Sequence, residues 1–89
     1  MAALRRADGV VYEVVDDCAV LVDPAGRTLI TLNAVGSLVW EALATDGDAP
    51  SLAAALHPRF TGVGVQQLQA DIASFLDELR AVGLVVDRA

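Results

Sequence analysis

Cys18 and His57, the only thiol and the only imidazole in the chain, are the first residues to weigh for chemistry, because a thiolate can attack while an imidazole takes its proton. A reactive thiol needs positive surroundings, whereas Cys18 directly follows Asp16 and Asp17, which push a thiol pKa upward. In the run Cys18-Ala19-Val20-Leu21-Val22 it reads as a small hydrophobe of a strand. His57 precedes Pro58 at an expected helix end, where an imidazole caps carbonyls, and no second His or Cys stands at zinc-ligand spacing. Asp46-Gly47-Asp48 begins like a calcium loop but lacks the remaining ligand series and its closing Glu. Gly62 and Gly64 lack the preceding strand and the following Lys of a phosphate loop. Asp71, Asp77 and Glu78 could pair for acid and base work, yet they lie off the apolar stripe of a helix, where carboxylates form a solvated face. The expectation is a protein that is not an enzyme and uses neither metal nor cofactor.

The elements that would hold these residues are set by pattern. Val10 to Val15 is β-branched and aromatic, Cys18 to Asp23 is a second apolar run, and Asp16-Asp17 between them is turn chemistry, which predicts an antiparallel hairpin. Pro24-Ala25-Gly26-Arg27 supplies the next turn, and Thr28 to Leu32 the third strand, which ends the sheet. Asn33 is placed to cap a helix from Ala34 to about Ala44, with Val35, Leu38, Val39, Ala42 and Leu43 as its buried stripe and Trp40 and Glu41 flanking it. After the polar loop Thr45 to Pro50, Ser51 caps a short second helix from Leu52 to about His57, stopped by Pro58. Residues 60–64 form a connector. Val65 to Val82 carries the strongest helical period, with Leu68, Ile72, Phe75, Leu76, Leu79 and Val82 inward and Gly83 as terminator. Leu84-Val85-Val86 remains as an extended tail. The predicted class is therefore α+β: a three-stranded antiparallel sheet followed by three helices, in the outline of a winged helix.

Eighty-nine residues make one domain spanning 1–89, with residues 1–8 as a flexible lead. The apolar content of 55% suffices for a core without disulfides or metals. No apolar run is long enough to span a bilayer, and no signal peptide is visible at the N-terminus, so a cytoplasmic protein without membrane contact is expected. The net charge of −6, with no lysine, disfavours phosphate-backbone binding and favours neutral or basic peptides as partners.

Three stretches together resemble the PqqD-like family. The run from Leu32-Asn33-Ala34-Val35-Gly36-Ser37 through Leu38-Val39-Trp40-Glu41-Ala42-Leu43 is similar to its strand-to-helix signature. Asp46-Gly47 fits the family's pattern just after that helix, and Asp71 to Val85, with Phe75-Leu76, Leu79 and Gly83-Leu84-Val85, is similar to its closing pattern. The resemblance covers most of the chain from the second strand onward. Members of the PQQ pathway carry a Tyr-Pro-Glu-like stretch where this chain has Val22-Asp23-Pro24-Ala25-Gly26; stand-alone members of lasso-peptide pathways look closer.

The resemblance implies a non-catalytic recognition element that holds the leader of a ribosomally made precursor peptide for its modifying enzymes, such as a leader peptidase, a cyclase or a radical enzyme. In that family the leader lies as an added strand against the third strand, in a cleft completed by the third helix. Carried onto this chain, the edge is Arg27, Thr28, Leu29, Ile30 and Thr31, whose backbone provides the ladder, and Ile30→Pro is expected to abolish peptide affinity if the Ile30 amide points to the guest. On the helix, Gln67, Asp71, Ser74 and Glu78 line one border and Phe75 floors an apolar slot; the opposite border of Gln69, Ala73 and Arg80 stays open as an alternative. Asp71 and Glu78 call for a Lys or Arg in the leader. Two other classes fit the same outline, a winged-helix DNA binder and a general protein-interaction adaptor. The acidic exposed face of the third helix speaks against the first of these, so no nucleic acid is expected.

Overall fold

The computed structural model describes residues 3–44 and 47–87. Among them a three-stranded antiparallel sheet, β2 (Val11–Val15), β3 (Cys18–Val22) and β4 (Leu29–Thr31), precedes α1 (Ala34–Ala42), α2 (Ala49–Leu56) and α3 (Val65–Ala81). This is the α+β, winged-helix-like class that the patterns predict. Two short strands, β1 (Leu4–Arg6) and β5 (Val85–Asp87), form a separate antiparallel ribbon in which Leu4 stands opposite Asp87. Within the stretch 1–8 expected as a flexible lead, of which residues 1 and 2 lie outside the described residues, Leu4 is buried and its N–H donates to the Gly47 carbonyl at 2.6 Å. A Cβ at Gly47 would collide with the Leu4 carbonyl oxygen, so glycine is what lets β1 lie against this loop. Asp46 and Thr45 lie outside the described residues.

The β2–β3 hairpin turns on Asp16 and Asp17 with φ of 52° and 65°, as a two-residue connection with both central residues left-handed demands. The next turn is built around Asp23. Its N–H donates to the Thr28 carbonyl at 3.1 Å, while its carboxylate oxygen Oδ1 accepts from the backbone N–H groups of Arg27 at 2.7 Å and Thr28 at 3.1 Å. These backbone donors, Thr28 first, hold the Asp23 carboxyl below its ordinary pKa. A depressed folded-state pKa means that the clamp's contribution is fully present above the ordinary carboxylate value of 3.8 and is lost as pH falls through the lowered folded one. The protection of the Arg27 and Thr28 amides, taken relative to the intrinsic exchange rate at each pH, is expected to fall only at such acidic pH, and Asp23→Asn should weaken this pH dependence.

Where β4 passes into α1 the ladder is handed to a side chain. The Leu32 N–H donates to the Ala19 carbonyl at 2.8 Å, but the Ala19 N–H donates to Ser37 Oγ at 2.7 Å, and that hydroxyl in turn donates to the Asn33 carbonyl at 2.7 Å. Asn33 caps α1 as its sequence position predicts, with Oδ1 accepting from the Gly36 N–H at 2.7 Å. Ser37→Ala strands the N–H of fully buried Ala19, which should cost about 1–3 kcal/mol in a denaturant titration.

The buried stripe of α1 is Gly36, Ser37, Val39 and Trp40, with Leu43 following, not one centred on Val35 and Leu38. Trp40, expected to flank the stripe, is fully buried and packs edge-on to Tyr12 at 5.6 Å. The reason lies in the ribbon: Arg6 stacks its guanidinium over Trp40 and Tyr12, each at 4.9 Å, and donates to the Trp40 carbonyl at 2.7 Å, covering a flank that would otherwise face water. The second helix also starts earlier than its expected cap at Ser51. Asp48 is the N-cap, its Oδ1 accepting from the Ser51 N–H at 2.7 Å, and Pro50 sits within the first turn, where its missing N–H costs nothing. The helix α3 ends as predicted, with Gly83 at φ 81° and paired bonds from Gly83 N–H to the Arg80 carbonyl and from Leu84 N–H to the Leu79 carbonyl.

Candidate peptide-binding groove

The strand β4 lies at one margin of the β2-β3-β4 sheet, so one side of its backbone meets no strand among the described residues. Which groups face that side is fixed by the alternation of an antiparallel ladder. The bonds from Asp23 N–H to the Thr28 carbonyl and from Leu32 N–H to the Ala19 carbonyl, with Ile30 aligned on Leu21 between them, make Thr28, Ile30 and Leu32 the residues turned toward β3. Leu29 and Thr31 therefore turn their N–H and C=O groups to the open edge. The Ile30 amide therefore serves β3, and the condition under which Ile30→Pro would act on a guest is not met. The N–H groups of Arg27 and Thr28 are likewise taken, by Asp23.

Beside this edge runs a groove of about 600 Å³. One wall is Ile30 and Thr31 continuing through Leu32 and Asn33 into Val35, Gly36 and Val39 of α1; the other is α3, from Leu68 to Val82; Phe60 and Val63 lie at the connector that precedes α3. Of the sequence-predicted residues, the structure brings Ile30, Thr31, Asp71, Phe75 and Glu78 together here. Arg27, Thr28 and Leu29 do not line the groove, nor do Gln67 and Ser74, although Gln67 Nε2 donates to Asp71 Oδ1 at 2.9 Å and so orients that carboxylate. The alternative border of α3, Gln69, Ala73 and Arg80, contributes nothing to the lining; Arg80 instead pairs with Asp87 at 2.8 Å.

Phe75 is half-buried and bridges the two walls. A Cβ at Gly36 would stand 3.1 Å from the Phe75 ring, so the absence of a side chain at residue 36 is what lets the ring lie on the first turn of α1. Val35 and Val82, inward by periodicity alone, are 46% and 49% exposed at the rims of the groove. Leu68, Ile72 and Leu79 beneath are buried. The end of the groove is held by His57, whose Nε2 donates to the Val63 carbonyl at 2.9 Å, a carbonyl-capping role of the kind expected for this imidazole. Phe60 and Val63 are not among the sequence-predicted site residues, although two apolar residues in a connector are a signal, and Val35 reads as core in the sequence because it falls on the helical stripe.

The arrangement provides main-chain donors and acceptors on one margin, an apolar trough beside them, and two carboxylates on its α3 side. Nothing in it activates a nucleophile, since Cys18 lies at the β2–β3 hairpin and the His57 nitrogen is engaged by backbone. No group of three potential metal ligands occurs among the described residues, and no helix there is long and apolar enough to cross a membrane.

Comparison with known proteins places this geometry. No curated protein matches the chain. Two solved structures do: "TbiB1 in Complex with the TbiA(beta) Leader Peptide", 27% identical over 96% of this chain and 98% of that one with a TM-score of 0.85, and "Lasso peptide synthetase B1 complexed with the leader peptide", 21% identical over 96% and 99% with a TM-score of 0.82, the latter a likeness of fold alone. Residues 18–85, from the start of β3 to the start of β5, match the family described as coenzyme PQQ synthesis protein D, and on that match the chain belongs to the PqqD family.

Proposed function

We propose that this protein is a non-catalytic recognition element that binds the leader segment of a ribosomally made precursor peptide and presents it to separate modifying enzymes. The observation that carries the reading is the coincidence of an open β4 edge, with Leu29 and Thr31 turned outward, and an apolar groove immediately beside it. An extended guest gains up to four main-chain bonds from these two residues without any demand on its sequence, while alternate side chains enter the groove and set selectivity. The solved relative TbiB1, of similar size and fold, is in complex with a leader peptide, which supports leader binding as the role of this chain. The enzymes served are a leader peptidase with a cyclase, or a radical enzyme. Such a role is performed in the cytoplasm, beside the ribosome that makes the precursor.

A DNA-binding role has no comparable support. The exposed positions of α3 include Asp71, Asp77 and Glu78, and its one arginine is paired with Asp87. The test is fluorescence polarisation with a labelled precursor leader peptide and, separately, with labelled duplex DNA at low salt. Saturable binding of the leader at micromolar or lower concentration, with none to DNA, is the expected result. Saturable DNA binding overturns the reading in favour of the winged-helix DNA binder, and binding of neither ligand by a folded protein overturns it and leaves the general adaptor.

A further inference from the structure

Charge in the groove is one-sided. Asp71 and Glu78 are the only charged residues that line it, and they stand four positions before and three after Phe75, on one face of α3. Neither is neutralised by the protein. The partner of Asp71 is the uncharged amide of Gln67, and Glu78 has no hydrogen bond or ion pair among the described residues. Three arginines are engaged elsewhere, Arg5 on Asp8, Arg6 on Glu41 and the Trp40 carbonyl, Arg80 on Asp87, and Arg27 and Arg59 do not line the groove. With a net charge of −6 on the whole chain, the groove is a negative trough with apolar walls, the setting in which a field is focused on whatever enters.

Resting on the leader-binding reading above, we propose that the segment bound here is a cationic apolar one: a large apolar residue seated on Phe75 against Gly36, with a Lys or Arg two positions away on one or both sides. The spacing is dictated by the geometry of the two elements. Asp71 and Glu78 are seven residues apart, about 10 Å along a helix, and a strand advances about 6.7 Å for each pair of residues. Side chains two positions either side of the anchor share its face, enter the same groove and reach a carboxylate with a flexible stem. An acidic residue at the same place meets Asp71 or Glu78 with no counter-charge available.

The probes are three fluorescein-labelled peptides on a Thr-rich extended frame, Thr-Xaa-Thr-Phe-Thr-Xaa-Thr, in which both Xaa residues are Lys, norleucine or Glu. Polarisation at low ionic strength should rank them Lys over norleucine over Glu, with at least a tenfold gap between the extremes that narrows as salt is raised. In a folded Asp71→Asn, Glu78→Gln variant the gap between the Lys and Glu peptides should collapse. Equal affinities for the Lys and Glu peptides, or a gap that survives the double substitution, overturn the cationic assignment. So does failure of all three peptides where the precursor leader still binds, in which case the leader-binding reading stands; if the leader fails as well, both fall together.

Discussion

Leu29→Pro and Thr31→Pro are expected to abolish binding of the leader in a folded protein, whereas Ile30→Pro should lose the fold before it loses the ligand. The distinction is one of ladder phase. Leu29 and Thr31 point their N–H groups at the open edge, and proline is tolerated in edge strands where the missing donor faces outward. Removing either donor deletes one guest bond and places a ring where the guest backbone must lie, so affinity should fall by at least tenfold while the thermal transition shifts little. Ile30 is aligned on Leu21 of β3, and its proline variant removes a bond of the sheet itself. Val14→Pro on the far margin, β2, is the matching control: by the same alternation its N–H also faces outward, but no part of the large groove adjoins it, and leader affinity should be retained. Circular dichroism melts with polarisation titrations of the four variants decide the matter. Unchanged affinity in a folded Leu29→Pro protein removes β4 as the guest's partner.

The second large effect separates the floor of the groove from the core below it. Leu79 is 3% exposed, and Leu79→Ala should lower stability by about 2–5 kcal/mol, read as a shifted denaturant midpoint. Phe75 is only half-buried, resting on Gly36, and Phe75→Ala opens the trough where an apolar guest side chain sits. It should cost less stability than Leu79→Ala and more affinity. Were the two variants to lose stability and affinity in the same proportion, Phe75 would be core, not floor.

How far the sequence can be read depends on whether the governing contact is local. Caps and turns are local, so Asn33, the Asp16-Asp17 hairpin and the Gly83 terminator are where pattern places them. Of the ribbon, β5 falls on the expected extended tail, but β1 is not legible, because three residues rich in arginine carry no alternation and are held by partners some eighty positions away. Trp40 escapes the pattern for the same reason: the residue that covers it, Arg6, belongs to that unseen strand. At the site, family likeness and helical period select β4 and the Asp71, Phe75 and Glu78 face of α3. They do not select the phase of the ladder, since shifting a strand by one residue exchanges its inward and outward amides, and here the phase is set by the Asp23 clamp and by the bond from Leu32 to Ala19.

The pairing of Leu4 with Asp87 brings the two ends of the described chain side by side. Neighbours across such a ribbon are about 5 Å apart, so the polypeptide leaves the domain at nearly the point where it enters. A host enzyme could carry this unit as an insertion in a surface loop without spreading the loop's own ends, and a circularly permuted version closed by a few glycines should fold. The same adjacency makes the unit easy to transplant between biosynthetic proteins as a portable receptor.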